Sequence, residues 1–145
     1  MQKVLIIAEA GVNHNGDVRL AKKLIDVAKK AGVDVVKFQT WITEELVDKS
    51  APKADYQKEN DGVSTSQFEM LKNLELSHEE FRELKSYCEE VGVQFLSTPD
   101  EEKSLDFLVD ELEVNLIKVG SGEVSNIPFL RKIGAKKKEV ILSTG

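Results

Sequence analysis

Short apolar runs alternate along this chain with segments whose apolar residues recur every three or four positions. The runs have the length of buried strands, and the segments have the period of helices packed on one face. Strands are predicted over residues 4–8, 33–38, 93–96, 114–117 and 140–142. Helices are predicted between them, over residues 17–31 and 77–91, from about Leu105 to Leu112, and over residues 127–133.

Local signals mark several of these boundaries. Ser77 and Glu80 have the spacing of a capping box at a helix start, and Gly32 and Gly92 are suited to helix ends. The stretch over residues 41–73 is polar and lacks a long periodic run. It is predicted to be an extended loop with at most short helical pieces, and loops of this length are usually functional lids or partly disordered.

The regular alternation of strand and helix predicts parallel βαβ units in one α/β domain. Five strands and four helices in this order fit the first part of a (β/α)8 TIM-type barrel, so residues 1–145 are predicted to be the N-terminal portion of a barrel domain. A doubly wound open sheet is the alternative, although no G-x-G-x-x-G motif follows the first strand. In either fold the outer strands would leave bare edges unless something pairs with them.

Composition restricts the class of function. The 145 residues carry a net charge of −6, which argues against general binding to nucleic acid or to a membrane surface. There is no apolar run long enough to span a bilayer and no signal-peptide pattern, so a cytoplasmic protein is expected. The single cysteine, Cys88, lies on the apolar side of a helical pattern and is predicted to be a buried, unreactive thiol.

Polar, chemically capable residues follow every predicted strand. Because the carboxyl ends of parallel strands form the active face of such sheets, these side chains are expected to meet there. On several strands the polar residue lies two positions beyond an inward-facing apolar one, as in the pairs Ile7 with Glu9 and Val35 with Lys37. The strand-end residues are Glu9, Lys37, Gln39, Ser97, Thr98, Lys118, Ser121, Glu123, Ser143 and Thr144.

The most informative of these strand ends is the stretch IKVGSGE over residues 117–123. A buried strand has no structural need for Lys118 at its end, whereas a site that binds an anion does. Gly120 and Gly122 let the backbone turn tightly around Ser121. Two ammonium groups, several hydroxyls and two carboxylates suit a small phosphorylated, carboxylated substrate together with a polyhydroxylated one.

Structural roles compete with these functional ones. Thr98 can cap the following helix, with Glu101 reaching back, and Glu9 and Lys37 can neutralise each other across neighbouring strands. His14 lies in a predicted turn, where a loop role is favoured over catalysis. His78 is predicted to be a solvated residue in the first turn of a helix.

Five segments together resemble the sialic acid synthases, the N-acetylneuraminate synthases and their relatives that make legionaminic and pseudaminic acids. The resemblance covers the whole chain, in the order found in that family. The segments are IAEAGVNHNG (7–16), VKFQT (36–40), FLSTP (95–99), IKVGSGE (117–123) and ILSTG (141–145).

The resemblance implies a barrel enzyme that condenses phosphoenolpyruvate with an N-acetylated amino sugar, such as N-acetylmannosamine. It further implies a cytoplasmic homodimer. The matching phosphoenolpyruvate-binding positions are Lys37, Thr98, Lys118, Ser121 and Ser143, with Gln39 beside them, and the matching active-site carboxylates are Glu9 and Glu123. The family's divalent metal, Mn or Mg, is implied as well.

This sequence departs from the family pattern in two ways. Asp100 stands where the family often has an aromatic residue near the amino sugar, so the sugar is left open. The two metal-binding histidines and the antifreeze-like C-terminal domain of the family have no counterpart in these residues, and His14 and His78 do not match the metal ligands. The chain alone is therefore expected to be inactive.

Two other functions remain open from the residues. A Schiff-base aldolase would use Lys37 or Lys118 as its nucleophile. A non-catalytic half-barrel would instead pair its open edge with a second copy of the chain.

Overall fold

The computed structural model describes residues 4–48 and 66–145 of the chain. Strands and helices alternate along these residues, as the apolar pattern predicts. A π-helical turn, Phe107–Glu111, continues one helix, and a 3-10 turn, Ser121–Glu123, follows one strand. In chain order the strands and α-helices are β1 (Ile7–Gly11), α1 (Val18–Lys30), β2 (Val35–Thr40), α2 (Thr43–Leu46), α3 (Gln67–Leu74), α4 (His78–Val91), β3 (Gln94–Pro99), α5 (Glu102–Asp106), β4 (Leu116–Val119), α6 (Ile127–Ala135) and β5 (Glu139–Leu142).

The strands lie side by side in the order in which they occur along the chain, and each hydrogen-bonded pair is parallel. β1, β2 and β3 form one hydrogen-bonded parallel sheet, β4 and β5 form a second, and β3 lies beside β4. A doubly wound sheet would place β4 beside β1, or β3 beside β1, because its strand order reverses. The sequential order therefore disfavours the doubly wound alternative.

Apolar side chains pack on both faces of the sheet. On the outer face, apolar residues of helices α1, α4 and α6 join strand residues such as Val36 and Phe38 in one large core cluster. On the inner face a separate small cluster takes one residue from each strand, and the period of two predicts four of its five members. These residues are Ile7, Val35, Leu96, Leu116 and Ile141.

Most strands begin and end later than the apolar runs predict. The first run predicts β1 over residues 4–8, but Val4 is 73% exposed and the ladder begins where Ile7 pairs with Val35. The ladder instead continues through Glu9, which lies opposite Lys37 in the neighbouring strand and forms an ion pair with it. The strand-end residues up to Lys118 therefore belong to the strands themselves.

Side-chain caps fix the helix starts. Ser77 and Glu80 form the expected capping box at α4, and Gly92 ends that helix with φ of +72°. The expected capping role of Thr98 is wrong. Its strand continues through Pro99, and the side chain of Glu101 caps α5 by accepting from the backbone N–H groups of the first turn.

The predicted loop over residues 41–73 falls partly outside the described residues. Its described parts contain the short helices α2 and α3, in agreement with the prediction of short helical pieces. The end of α3 lies against the turn after β1, where a Cβ on Gly16 would overlap the backbone carbonyl of Asn73. In the described part of the chain, no helix is both long and apolar enough to cross a membrane.

Candidate active site

A ring of polar residues lies directly above the inner apolar cluster. Each strand contributes the residue two positions beyond its inward-facing apolar side chain, and the period of two places both on the same face. The polar residues above the cluster are Glu9, Lys37, Thr98, Lys118 and Ser143.

Lys37 is the centre of this ring. Its side chain is only 9% exposed, and its Nζ lies 2.8 Å from Oε2 of Glu9. The same ammonium donates to Oγ1 of Thr98 at 3.4 Å. Three neighbouring strands therefore bring a cation, a carboxylate and a hydroxyl into contact. The side chain of Thr98 contacts Lys37 in this cluster and does not cap a helix.

Lys118 supplies the second cation of the ring. Its Nζ donates to the backbone carbonyl of Val119 at 2.8 Å. Burial lowers the pKa of Lys118, the charge of Lys37 lowers it further, and Glu9 opposes both effects. Two ammonium groups that repel each other in a partly desolvated place form a favourable position for a bound anion.

Ser121 and Glu123 lie in the 3-10 turn that follows β4, where Ser121 is exposed. Glu123 accepts a hydrogen bond of 2.7 Å from Nδ2 of Asn126, the residue that caps α6. Ser143 follows β5, and its backbone N–H donates to the carbonyl of Val119 at 3.1 Å. The backbone bond between Ser143 and Val119 holds the ends of β4 and β5 next to each other.

Gln39 and Ser97 lie on opposite faces. Gln39 is half-buried, two residues beyond Lys37, and is paired in register with Thr98. The hydroxyl of Ser97 instead lies 2.7 Å from that of Thr40, and both groups are buried. The side chain of Ser97 therefore lies on the face away from the ring, as the alternation along β3 requires.

Asp100 is not among the predicted site residues, although the resemblance puts its position near the amino sugar. In the structure it follows Thr98 by two residues and its backbone N–H donates to the carbonyl of Thr40 at 3.0 Å. Burial raises the pKa of Asp100 to about 7, the charge of Glu123 adds to this effect, and Lys37 opposes it. The period of two extended from Thr98 would identify Asp100, but its place near a helix start conceals the signal.

The contacts of the two histidines favour structural roles for both. His14 is fully buried, its Nδ1 accepts a hydrogen bond from the backbone N–H of Gly16, and burial lowers its pKa. His78 is not a solvated residue as expected, because its ring stacks on Phe107 at 3.8 Å. Within residues 4–48 and 66–145, no three His, Cys, Asp or Glu side chains converge to hold a metal ion. The residues present therefore do not fit the implied metal.

Cys88 behaves as the sequence predicts. It lies buried on the inner side of α4, and burial raises the pKa of its thiol to about 12. A thiol with such a pKa is not a nucleophile at neutral pH. The chemistry of the described residues is therefore concentrated in the strand-end ring.

Known proteins resemble this chain over nearly its whole length. The sequence profile of the NeuB family matches residues 24–145. An N,N'-diacetyllegionaminic acid synthase of Legionella pneumophila is 50% identical over 97% of this chain and 39% of its own length. The human N-acetylneuraminate-9-phosphate synthase is 39% identical over 97% of this chain and 38% of its own length. The chain thus spans about two fifths of these relatives.

A solved structure shows the same fold. The N-acetylneuraminic acid synthetase of Leptospira borgpetersenii, crystallised with citrate, superposes with a TM-score of 0.83 at 31% identity. That likeness covers 99% of this chain and 45% of the other. Since the family profile covers most of the sequence and the fold agrees, the chain belongs to the NeuB family.

Proposed function

We propose that this chain forms part of a synthase that condenses phosphoenolpyruvate with an N-acetylated amino sugar. The products are a nine-carbon 2-keto acid of the sialic acid type and inorganic phosphate. The observation that carries the proposal is the placement of Lys37 and Lys118, two ammonium groups above one inner apolar cluster. The synthase relatives and the citrate-bound structural neighbour support the same class of reaction.

The cations and hydroxyls would hold phosphoenolpyruvate. Lys37 and Lys118 supply charge for its phosphate and carboxylate, because charge-assisted hydrogen bonds are the strongest available to a small anion. The remaining binding groups are Gln39, Thr98, Ser121 and Ser143. Thr98 already touches Lys37, so one bound oxygen can contact both side chains.

The carboxylates would serve the proton transfers. The enol methylene carbon of phosphoenolpyruvate bonds to the aldehyde carbon of the open-chain sugar, whose oxygen takes a proton. Water then adds to the former enol carbon, and the tetrahedral intermediate expels phosphate. Glu9, in β1, and Glu123, in the turn after β4, are assigned these acid–base roles together, without an order between them.

The wider architecture belongs to the same proposal. The five strands would form the first part of a (β/α)8 barrel in a cytoplasmic, homodimeric enzyme. The divalent metal of the family would be held by residues beyond those described, so no step is assigned to it. This chain alone is then expected to bind phosphoenolpyruvate without turning it over.

An activity test is available through a chimera. The matched segment of the Legionella pneumophila relative, 50% identical, would be replaced by this chain. Phosphate release that requires both phosphoenolpyruvate and the amino sugar, and that is lost in Lys118→Ala, is the expected result. Phosphate release without sugar, or an inactive chimera that is folded and binds phosphoenolpyruvate, would contradict the proposal.

A Schiff-base aldolase is the second candidate, because burial and the charge of Lys37 lower the pKa of Lys118, which is the direction expected for a lysine nucleophile. Borohydride reduction in the presence of pyruvate distinguishes the two. The synthase requires no imine, so no covalent adduct is expected by mass spectrometry. An adduct on Lys118 or Lys37 would favour the aldolase.

Self-association of a half-barrel is a third candidate, supported by exposed apolar residues near the open edges, Val4 and Leu142. Sedimentation over a range of concentrations tests it. Self-association would be favoured over the synthase function if the measured mass doubled as the concentration rose and the chain did not bind phosphoenolpyruvate.

A further inference from the structure

Gly11 occupies an irregular position at the end of β1. The parallel ladder with β2 is regular up to the pair formed by Glu9 and Lys37. The next pair joins Gly11 to Phe38, so Ala10 is an extra residue in β1. Gly11 takes up a left-handed conformation with φ of +51°. A bulge of this kind is rare between parallel strands, and bulges next to active sites commonly re-aim a side chain.

The carboxylate of Glu9 fills the space beside Gly11. A Cβ built on Gly11 would lie 3.1 Å from Oε1 of Glu9, and the three nearest heavy atoms that the structure describes all belong to that side chain. The other carboxylate oxygen, Oε2, lies 2.8 Å from Nζ of Lys37. The carboxylate that bonds the buried ammonium therefore lies against the position where any other residue would carry its side chain.

The position of this carboxylate matters to the anion site. Burial does not fix it, because the side chain of Glu9 is 55% exposed while that of Lys37 is 9% exposed. A bound anion would compete with the carboxylate for the same ammonium. The placement of Glu9 at the bulge therefore affects how readily Lys37 can bond a ligand.

We propose that Gly11 is a positioning residue: because it has no side chain, the Glu9 carboxylate can reach Lys37 and restrain its affinity for an anion. The identity of that anion, phosphoenolpyruvate, rests on the proposed function. A methyl group at residue 11 would be closer to Oε1 than an ordinary contact, and the half-exposed side chain of Glu9 would shift to relieve it. The ion pair would then weaken, and Lys37 would be freer to bind phosphoenolpyruvate.

The first arm of the test is urea unfolding of this chain without ligand. Gly32→Ala is the matched control, because Gly32 also has positive φ but no described atom lies within 4 Å of its Cβ position. Gly11→Ala should lower the free energy of unfolding more than Gly32→Ala does, since it weakens the ion pair as well as straining the backbone. In a Glu9→Ala background the two substitutions should cost the same.

The second arm is calorimetric titration with phosphoenolpyruvate. Gly11→Ala should bind it about threefold more tightly than the unchanged chain, and Gly32→Ala should bind it as the unchanged chain does. The gain should vanish in the Glu9→Ala background, which a purely structural role of Gly11 would not require. Gly11→Asn, with Gly32→Asn as its control, repeats both arms with a residue that tolerates positive φ, in case the alanine variant does not fold.

Each other outcome has a defined meaning. Equal costs of the substitutions at Gly11 and Gly32, in the chain that retains Glu9, would overturn the inference. Unchanged or weaker phosphoenolpyruvate binding in the Gly11 variants, or a gain that persists without the Glu9 carboxylate, would overturn it too. No phosphoenolpyruvate binding by the folded, unchanged chain would count against the proposed function, and the unfolding arm alone would then decide the inference.

Discussion

Oε2 of Glu9 lies 2.8 Å from Nζ of Lys37, and the two residues are directly paired in the β1–β2 ladder. Lys37 is 9% exposed and Glu9 is 55% exposed, so the pair is a buried ammonium reached by a carboxylate from the solvent side. Glu9 is therefore the partner with more freedom to change its side-chain conformation, whereas burial restricts Lys37. This asymmetry underlies the proposal that the pair takes part in binding an anion.

The first prediction concerns this pair. Lys37→Met should weaken phosphoenolpyruvate binding by about tenfold or more, because a charge-assisted hydrogen bond is lost. Glu9→Gln should preserve or strengthen binding, because the carboxylate that competes with the ligand is gone. Calorimetry of both variants measures the two effects.

Lys22 and Glu83 provide the matched control. They form a similar ion pair, 2.7 Å long, between α1 and α4 and away from the ring. Lys22→Met and Glu83→Gln should leave phosphoenolpyruvate binding unchanged. Weaker binding in Glu9→Gln, at unchanged stability, would show that Glu9 holds the ligand rather than competing with it.

The second prediction concerns pH. Because the pKa of Asp100 is raised to about 7, the folded chain binds an extra proton between the ordinary aspartate range and neutrality. The protonated Asp100 therefore makes its full contribution to the free energy of unfolding at low pH. That contribution is lost as the pH rises to about 7. Urea unfolding measures this effect. From pH 5 to pH 8 the free energy of unfolding should fall less in Asp100→Asn than in the unchanged chain. An equal decline, with Glu90→Gln as the control, would rule out this ionisation.

The third prediction tests the α4 start. Ser77→Ala removes the side chain that accepts from the N–H of Glu80, and should lower the free energy of unfolding by about 1 kcal/mol. Ser86→Ala, at an exposed position within the same helix, should be neutral or slightly stabilising. Equal effects of the two substitutions would mean that the capping box does not stabilise the chain.

The fourth prediction separates backbone strain from steric overlap. Gly16 and Gly32 both have positive φ, but a Cβ on Gly16 meets the carbonyl of Asn73, whereas one on Gly32 meets nothing within 4 Å. Gly32→Ala should cost about 1 kcal/mol of stability, from strain alone. Gly16→Ala should cost about 3 kcal/mol or more. Similar costs, measured by urea unfolding, would contradict the close packing of α3 on this turn.

Periodicity alone predicts much of the fold and of the inner face. The spacing of Ile7 with Glu9, Val35 with Lys37, and Leu116 with Lys118 identifies that face from the sequence, and the inner apolar cluster confirms it. This works because strand alternation is a strict geometric rule, independent of the neighbouring elements.

The strand ends cannot be predicted in the same way. Apolar character marks burial, but ladders continue through polar residues when the neighbouring strand supplies a partner, as Lys37 does for Glu9. The stacking of His78 on Phe107 likewise depends on a helix-to-helix contact that no local pattern reveals. The resemblance draws attention to Asp100 only as a departure from the family pattern, and its raised pKa follows from burial, which no local pattern reveals.

The most direct test of the central claim is calorimetric titration of this chain with phosphoenolpyruvate, in the unchanged chain and in Lys118→Ala. Lys138→Ala is the control, since Lys138 bonds the side chain of Asn115 before β4, at the end of the strand opposite Lys118. The account predicts binding that Lys118→Ala abolishes and Lys138→Ala preserves. Binding that survives in Lys118→Ala, or no binding by the folded chain, would contradict the claim that these strand ends form an anion site.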